Sequence, residues 1–147
     1  MIYLSRSIKV SIQDLLPTIH NGLDNNQLVE LKVFGTSMKP FLKDQESVVI
    51  LKKHTGTLIK HHIYFYHIRD KYILHRYIKT KNNINYFRGD ALTGYEQVRN
   101  EDVLAEVITY KNDMDEINPY NFINMHKLRI YLICKWMKSI IRKIVRG

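Results

Sequence analysis

Residues 35 to 40 read Gly-Thr-Ser-Met-Lys-Pro, and 38 positions after Ser37 stands His75, within Ile-Leu-His-Arg-Tyr. A serine hydroxyl is a weak nucleophile until a neighbouring group takes its proton, so Ser37 and His75 form a candidate nucleophile and base. The residues around Ser37 suit a turn. Residues 28–34 alternate apolar and polar as a strand does, Gly35 relaxes the backbone, and Pro40 stops regular structure from resuming. Taken alone, the segment also reads as a plain strand-to-turn connection, because Gly, Ser and Pro punctuate loops in many proteins.

Three separated segments resemble the signal peptidase I family of membrane-associated serine proteases. The first runs from Gly35 through Pro40 to Asp44 and the apolar strand Val48-Val49-Ile50-Leu51. The second is Ile73-Leu74-His75-Arg76-Tyr77-Ile78. The third is Tyr86-Phe87-Arg88-Gly89-Asp90, with Val103 to Val107 closing the domain, and the similarity covers residues 28 to 110. Most bacterial members pair Ser with Lys, whereas the endoplasmic-reticulum and archaeal type has a His-Arg pair. With His75-Arg76, this chain resembles the second type.

That resemblance implies a serine endopeptidase acting on a leader, precursor or signal peptide, with no cofactor. Ser37 would attack the carbonyl, and His75 would take the hydroxyl proton and return it to the leaving amine. Asp90 would orient the imidazole, and backbone N–H groups around Gly35, Thr36 and Ser37 would hold the oxyanion. The second acid expected six residues beyond Asp90 is Glu96 here, where the family has Asp. Met38 would be core or pocket lining, and Lys39 a surface charge. Two turns depart from the family: its Gly-Asp pairs are replaced by Gln45-Glu46 and His61-His62.

The elements that must position these residues are mostly strands, expected at 28–34, 46–52, 62–67, 71–79, 84–88 and 103–110, with turns at Arg69-Asp70 and Asn82-Asn83. In the strand over 71–79, His75 shares a face with Ile73 and Tyr77, and Arg76 points the other way, toward a structural ion pair. Ser11 can cap a short helix running to Asn21-Gly22, with Pro17 inside it. The pattern predicts a mainly β, partly closed antiparallel domain over residues 1–110, and the resemblance implies that it is of the LexA/signal-peptidase type. A polar linker over 111–121 and a C-terminal helix over 122–147 complete the expected organisation.

Composition narrows the function. Apolar residues make up 45% and charged ones 25% of the 147, which is globular and too short for two ordinary domains. One cysteine, Cys134, excludes an internal disulfide and a cysteine-based zinc site, and its apolar neighbours suggest a core or membrane-facing position. His54, His61, His62 and His67 invite a metal reading, but adjacent strand residues face opposite ways and no site is expected. The net charge of +9 calls for an anionic partner. Seven basic residues and no acid lie between 127 and 146, so the body is nearly neutral and nucleic acid is disfavoured.

Projected as a helix, that tail gathers Ile130, Ile133, Met137, Ile140, Ile141 and Ile144 on one side. Lys135, Lys138, Arg142, Lys143 and Arg146 gather on the other, with Trp136 near the boundary. Such a helix suits the plane of an anionic membrane surface, or packing on protein. Residues 1–10 alternate and carry Arg6 and Lys9, unlike a cleavable signal, and no run is apolar enough to span a bilayer. The chain is therefore expected in the cytoplasm, peripheral to the inner membrane surface. Two other functions fit the same residues: a non-catalytic membrane-associated module on this fold, and a self-cleaving LexA-like protein. For the latter, too few residues precede Gly35 to hold a helix-turn-helix domain.

Overall fold

Period-two alternation of apolar side chains recurs from Val29 onward, and it builds an eight-stranded antiparallel sheet in the computed structural model, which describes residues 12–147. A helix, α1 (Ile12–Asp24), precedes β1 (Val29–Lys32), β2 (Val48–Lys53), β3 (Ile63–Ile68), β4 (Lys71–Lys81) and β5 (Ile84–Arg88). Then come β6 (Glu96–Val98), a 3-10 turn (Asn100–Asp102), β7 (Val103–Asn112), β8 (Asp115–Ile117) and α2 (Phe122–Arg146). The strand order is β1-β2-β7-β3-β4-β5-β6, with β8 beside β7. The fold is mainly β as expected, but the sheet is not closed, since β1 and β6 are its two edges.

β3 is the centre. Its Ile63, Tyr64, Phe65 and Tyr66 are all essentially inaccessible, because both faces of the sheet are covered there. Ile63 and Phe65 pack with Leu31, Val49, Leu51, Ala105 and Val107, over which α1 lays Ile19 and Leu23. Tyr64 and Tyr66 face the other way, into Tyr77, Phe87, Val98 and Val103. Burying each of these large side chains contributes about 1.5–3 kcal/mol, so β3 anchors both faces of the sheet. Pro17 lies inside α1 on its exposed side.

Both expected hairpins form. Arg69 and Asp70 have φ of 48° and 59°, Asn82 and Asn83 52° and 59°, the paired positive values of two-residue type I′ turns. Gln45 and His61, where the resemblance expects glycine, also adopt positive φ, 60° and 70°. That backbone is the one glycine takes without strain.

The expected linker is corrected by the structure. Residues 111–117 belong to the sheet: β7 runs to Asn112, the chain turns through Asp113 (φ 55°), and β8 returns along β7. Three-residue strands such as β6 and β8 are too short to show a period, which is why the sequence hid them. The first compact unit thus extends through Ile117, and residues 118–147 form a second. The Ser11 cap and the alternation over 1–10 lie outside the described residues.

In the second unit, the Asn121 side chain accepts from the Asn124 N–H at 2.8 Å and caps α2. Ile130, Ile133, Trp136, Met137, Ile141 and Ile144 on α2 are all at least half exposed, and Cys134 is exposed as well. No helix among the described residues is long and apolar enough to cross a membrane.

Candidate active site

Ser37 sits on a long loop between β1 and β2 that the chain fastens at several points. Val33 N–H donates to Ser47 O (2.9 Å), Gln45 N–H to Val33 O (2.8 Å) and Leu42 N–H to Met38 O (3.0 Å). Gly35, with φ of +97°, turns its N–H onto the Asp44 carboxylate at 2.7 Å. Met38 and Leu42 anchor the loop in the core. Ser37 itself is left partly exposed at the tip.

His75 comes from the middle of β4, four strands away from β1 in the sheet order. Four strand spacings in a flat sheet would be about 19 Å. Sheet twist and loop length close that gap, and Ser37 Oγ lies 3.0 Å from His75 Nε2. At the other ring nitrogen, Nδ1 is 2.9 Å from Glu96 Oε2 and 3.1 Å from the Tyr66 hydroxyl. Tyr66 donates to the same Glu96 oxygen. Ser37, His75 and Glu96 therefore form a hydrogen-bonded chain, with the imidazole 4% exposed between them.

Burial governs the electrostatics. Desolvation holds His75 below the ordinary histidine range, against the pull of the Glu96 carboxylate and, more weakly, Asp90. The ring is accordingly neutral at neutral pH. Neutral imidazole with Nδ1–H directed at Glu96 leaves the Nε2 lone pair facing Ser37.

Asp90 is not the acid at Nδ1. Its two oxygens accept from Arg76 Nε (2.8 Å) and Nη2 (2.7 Å), and both side chains are 3% exposed. Arg76 also donates to His61 O (2.6 Å) and covers the Phe41 ring, making the ion pair expected from its side of β4. The expectation that Asp90 orients the imidazole is thus corrected: the acid at Nδ1 is Glu96. Asp90 sits on the turn after β5 beside Arg76, whereas the β5–β6 pairing opposes Glu96 to Phe87 and brings its carboxylate to His75.

Gly89 is a member of the site that residue chemistry could not announce. A Cβ there would meet Ser37 O at 2.6 Å and His75 Nε2 at 3.0 Å. The next N–H but one, from Ala91, donates to Ser37 O at 2.9 Å. Only glycine lets the β5 turn close against the serine loop. Tyr66 was missed as well, since a tyrosine in an apolar strand gives no sign of the acid its hydroxyl will meet.

Two further expectations are modified, and the histidines find separate partners. The Gly35 N–H is occupied by Asp44, so Gly35 does not serve as an oxyanion donor, although its left-handed turn presents Thr36 and Ser37. Met38 is 2% exposed within the core and does not line an open pocket, because its neighbour Ser37 takes the outward side. His62 pairs with Glu106, His54 lies edge-on to Tyr64, and His67 tilts over Tyr72, each on a different partner. Lys135, Trp136, Lys138, Arg142, Lys143 and Arg146 are all on α2, in the second unit.

No family model matches the chain, and neither a curated protein nor a solved structure is similar to it. The functional reading therefore rests on the geometry and chemistry of the site and on the resemblance of its sequence segments.

Proposed function

We propose that the chain is a serine endopeptidase of the signal-peptidase type, cleaving a leader or precursor peptide. The observation that carries this reading is the continuous chain from Ser37 Oγ through His75 to Glu96, with contacts of 3.0 and 2.9 Å. His75 Nε2 removes the hydroxyl proton as Oγ adds to the scissile carbonyl. The imidazolium so formed is stabilised by Glu96 and returns its proton to the leaving amine. A water, deprotonated by the same nitrogen, then releases the acyl group and restores Ser37. Oxyanion donors come from the Ser37 N–H and its neighbours instead of Gly35.

The polypeptide substrate is accompanied by an anionic lipid surface, held by α2, at the cytoplasmic side of the inner membrane. Support for that partner is the exposed apolar row Ile130, Ile133, Met137, Ile141 and Ile144 beside Lys135, Lys138, Arg142, Lys143 and Arg146.

Active-site titration tests the chemistry. An acylating peptide inhibitor should add one equivalent of mass to the native chain and none to Ser37→Ala, with turnover of a precursor peptide falling on the order of a thousandfold or more. Undiminished cleavage by Ser37→Ala would overturn the assignment.

A further inference from the structure

The hydroxyl of Tyr66 stands at a three-way junction. It donates to Glu96 Oε2, the oxygen that faces His75 Nδ1 at 2.9 Å, and it lies 3.1 Å from that nitrogen. Strand register puts it there: Tyr64 on β3 is directly opposite His75 on β4, so Tyr66, two residues on, is the diagonal neighbour on the same face. The Tyr66 ring is fully buried, 4.7 Å from Phe87 and 6.3 Å from His75.

Glu96 is held differently. It begins a three-residue strand at the sheet edge, and a third of its side chain (33%) reaches solvent. A long carboxylate at such an edge has several rotamers that point into water, and fixing one costs side-chain entropy. The backbone of β6 alone does not select the rotamer that meets His75.

We propose that Tyr66 is a positioning residue, whose hydroxyl clamps the Glu96 carboxylate so that it accepts a hydrogen bond from His75 Nδ1–H and leaves Nε2 bare toward Ser37. This rests on the peptidase reading for its purpose, though not for its geometry. Four groups face the imidazole: Ser37 from the serine loop, Tyr66 from β3, Glu96 from β6, and Asp90 from beyond β5, the last neutralised by Arg76. Of these, Tyr66 is the neutral donor that fixes which oxygen of Glu96 is presented. Burial and the neighbouring carboxylate push the phenol far above its ordinary value, so it remains a donor wherever the enzyme is folded. A tyrosine kept for bulk alone would be replaceable by phenylalanine with no change at His75.

The test is Tyr66→Phe in the full chain, with histidine rings labelled with ¹⁵N. The native His75 should show the Nδ1–H tautomer by long-range ¹⁵N–¹H correlation. In Tyr66→Phe a substantial Nε2–H population should appear, and kcat should fall on the order of tenfold or more with KM unchanged. A folded variant that retains the pure Nδ1–H tautomer overturns the proposal. Should the variant fail to fold, the native protein still decides. A slowly exchanging Tyr66 hydroxyl proton with a cross-peak to His75 Nδ1–H supports the clamp, and its absence overturns it. A tautomer change in a chain that cleaves no peptide would retain the clamp and remove the peptidase reading.

Discussion

Glu96 lies 2.9 Å from His75 Nδ1, whereas Asp90 gives its oxygens to Arg76 at 2.8 and 2.7 Å. Two acids six residues apart therefore do different work, one beside His75 and one inside the scaffold. The scaffold acid still reaches the chemistry indirectly. Arg76 fixes Asp90, Asp90 fixes the turn holding Gly89 and Ala91, and Ala91 N–H holds the carbonyl of Ser37.

That division predicts opposite phenotypes for two amide substitutions. Glu96→Gln should leave the fold intact and reduce kcat by on the order of a hundredfold or more, because the imidazolium loses its counter-charge. Asp90→Asn should instead destabilise the protein by about 3–5 kcal/mol, because it leaves the buried Arg76 unpaired. Urea unfolding alongside peptide turnover measures both. A stable but inactive Asp90→Asn with an active Glu96→Gln would return the catalytic role to Asp90.

The pH dependence follows from a depressed His75. Its unfolded value is the ordinary 6.5 and its folded value is lower, with burial the main cause. The unfolded chain therefore binds the proton more readily. This contribution to stability is intact above pH 6.5 and is lost as the pH falls through the window below it. Activity, which needs the neutral ring, should hold through pH 6.5 and decline only at lower pH. Glu96→Gln removes an influence that raises the pKa, so the residual activity should decline at still lower pH. A native acid limb centred above 6.5 would show that His75 is not the base.

Gly89→Ala tests the close approach of the β5 turn to the nucleophile. Its Cβ would stand 2.6 Å from the Ser37 carbonyl oxygen and 3.0 Å from His75 Nε2, so backbone must move. Displacement of a nucleophile by a fraction of an ångström to 1 Å can cost on the order of a hundredfold in rate. Turnover should fall by that order while the thermal midpoint drops only a few degrees. Native-like turnover in Gly89→Ala would mean the contact is not needed.

The sequence made much of this visible, for identifiable reasons. The six longer strands follow from alternation or, in β2 and β3, from short apolar runs, and both I′ turns from Arg69-Asp70 and Asn82-Asn83. The pairing of Ser37 with His75, seen at 3.0 Å, was legible because serine and histidine are residue types able to act as nucleophile and base. Glu96 and Asp90 were not separable, because which acid meets the imidazole depends on β5–β6 register, and β6 has only three residues. Tyr66 and Gly89 act through a diagonal contact and a missing Cβ, and neither leaves a mark in one chain's residue types.

Gln45 offers a stability test away from the chemistry. It is exposed and sits at φ of 60°, where a side chain costs about 1 kcal/mol that glycine does not incur. Gln45→Gly should therefore raise the thermal midpoint by about 2–4 °C, less whatever the unfolded chain gains in entropy. Turnover should be unaltered, since the Ser37 end of the loop is held by separate hydrogen bonds. A lowered midpoint would show that the Gln45 side chain contributes more than its backbone strain removes.

The membrane proposal for α2 can be examined in the intact chain, because Trp136 is the sole tryptophan and is 65% exposed. Its emission should shift to the blue on vesicles containing phosphatidylglycerol, as the indole leaves water for the interface. Each basic residue near such a surface contributes about 1 kcal/mol, so Lys138→Glu, Arg142→Glu and Lys143→Glu together should weaken binding by well over tenfold. Raising salt should mimic that loss by screening the same charges. The apolar row predicts a complementary result: Ile133→Ser with Ile141→Ser should weaken binding without changing its salt dependence. If the triple charge reversal binds anionic vesicles as tightly as the native chain, the basic face is not what holds the lipid.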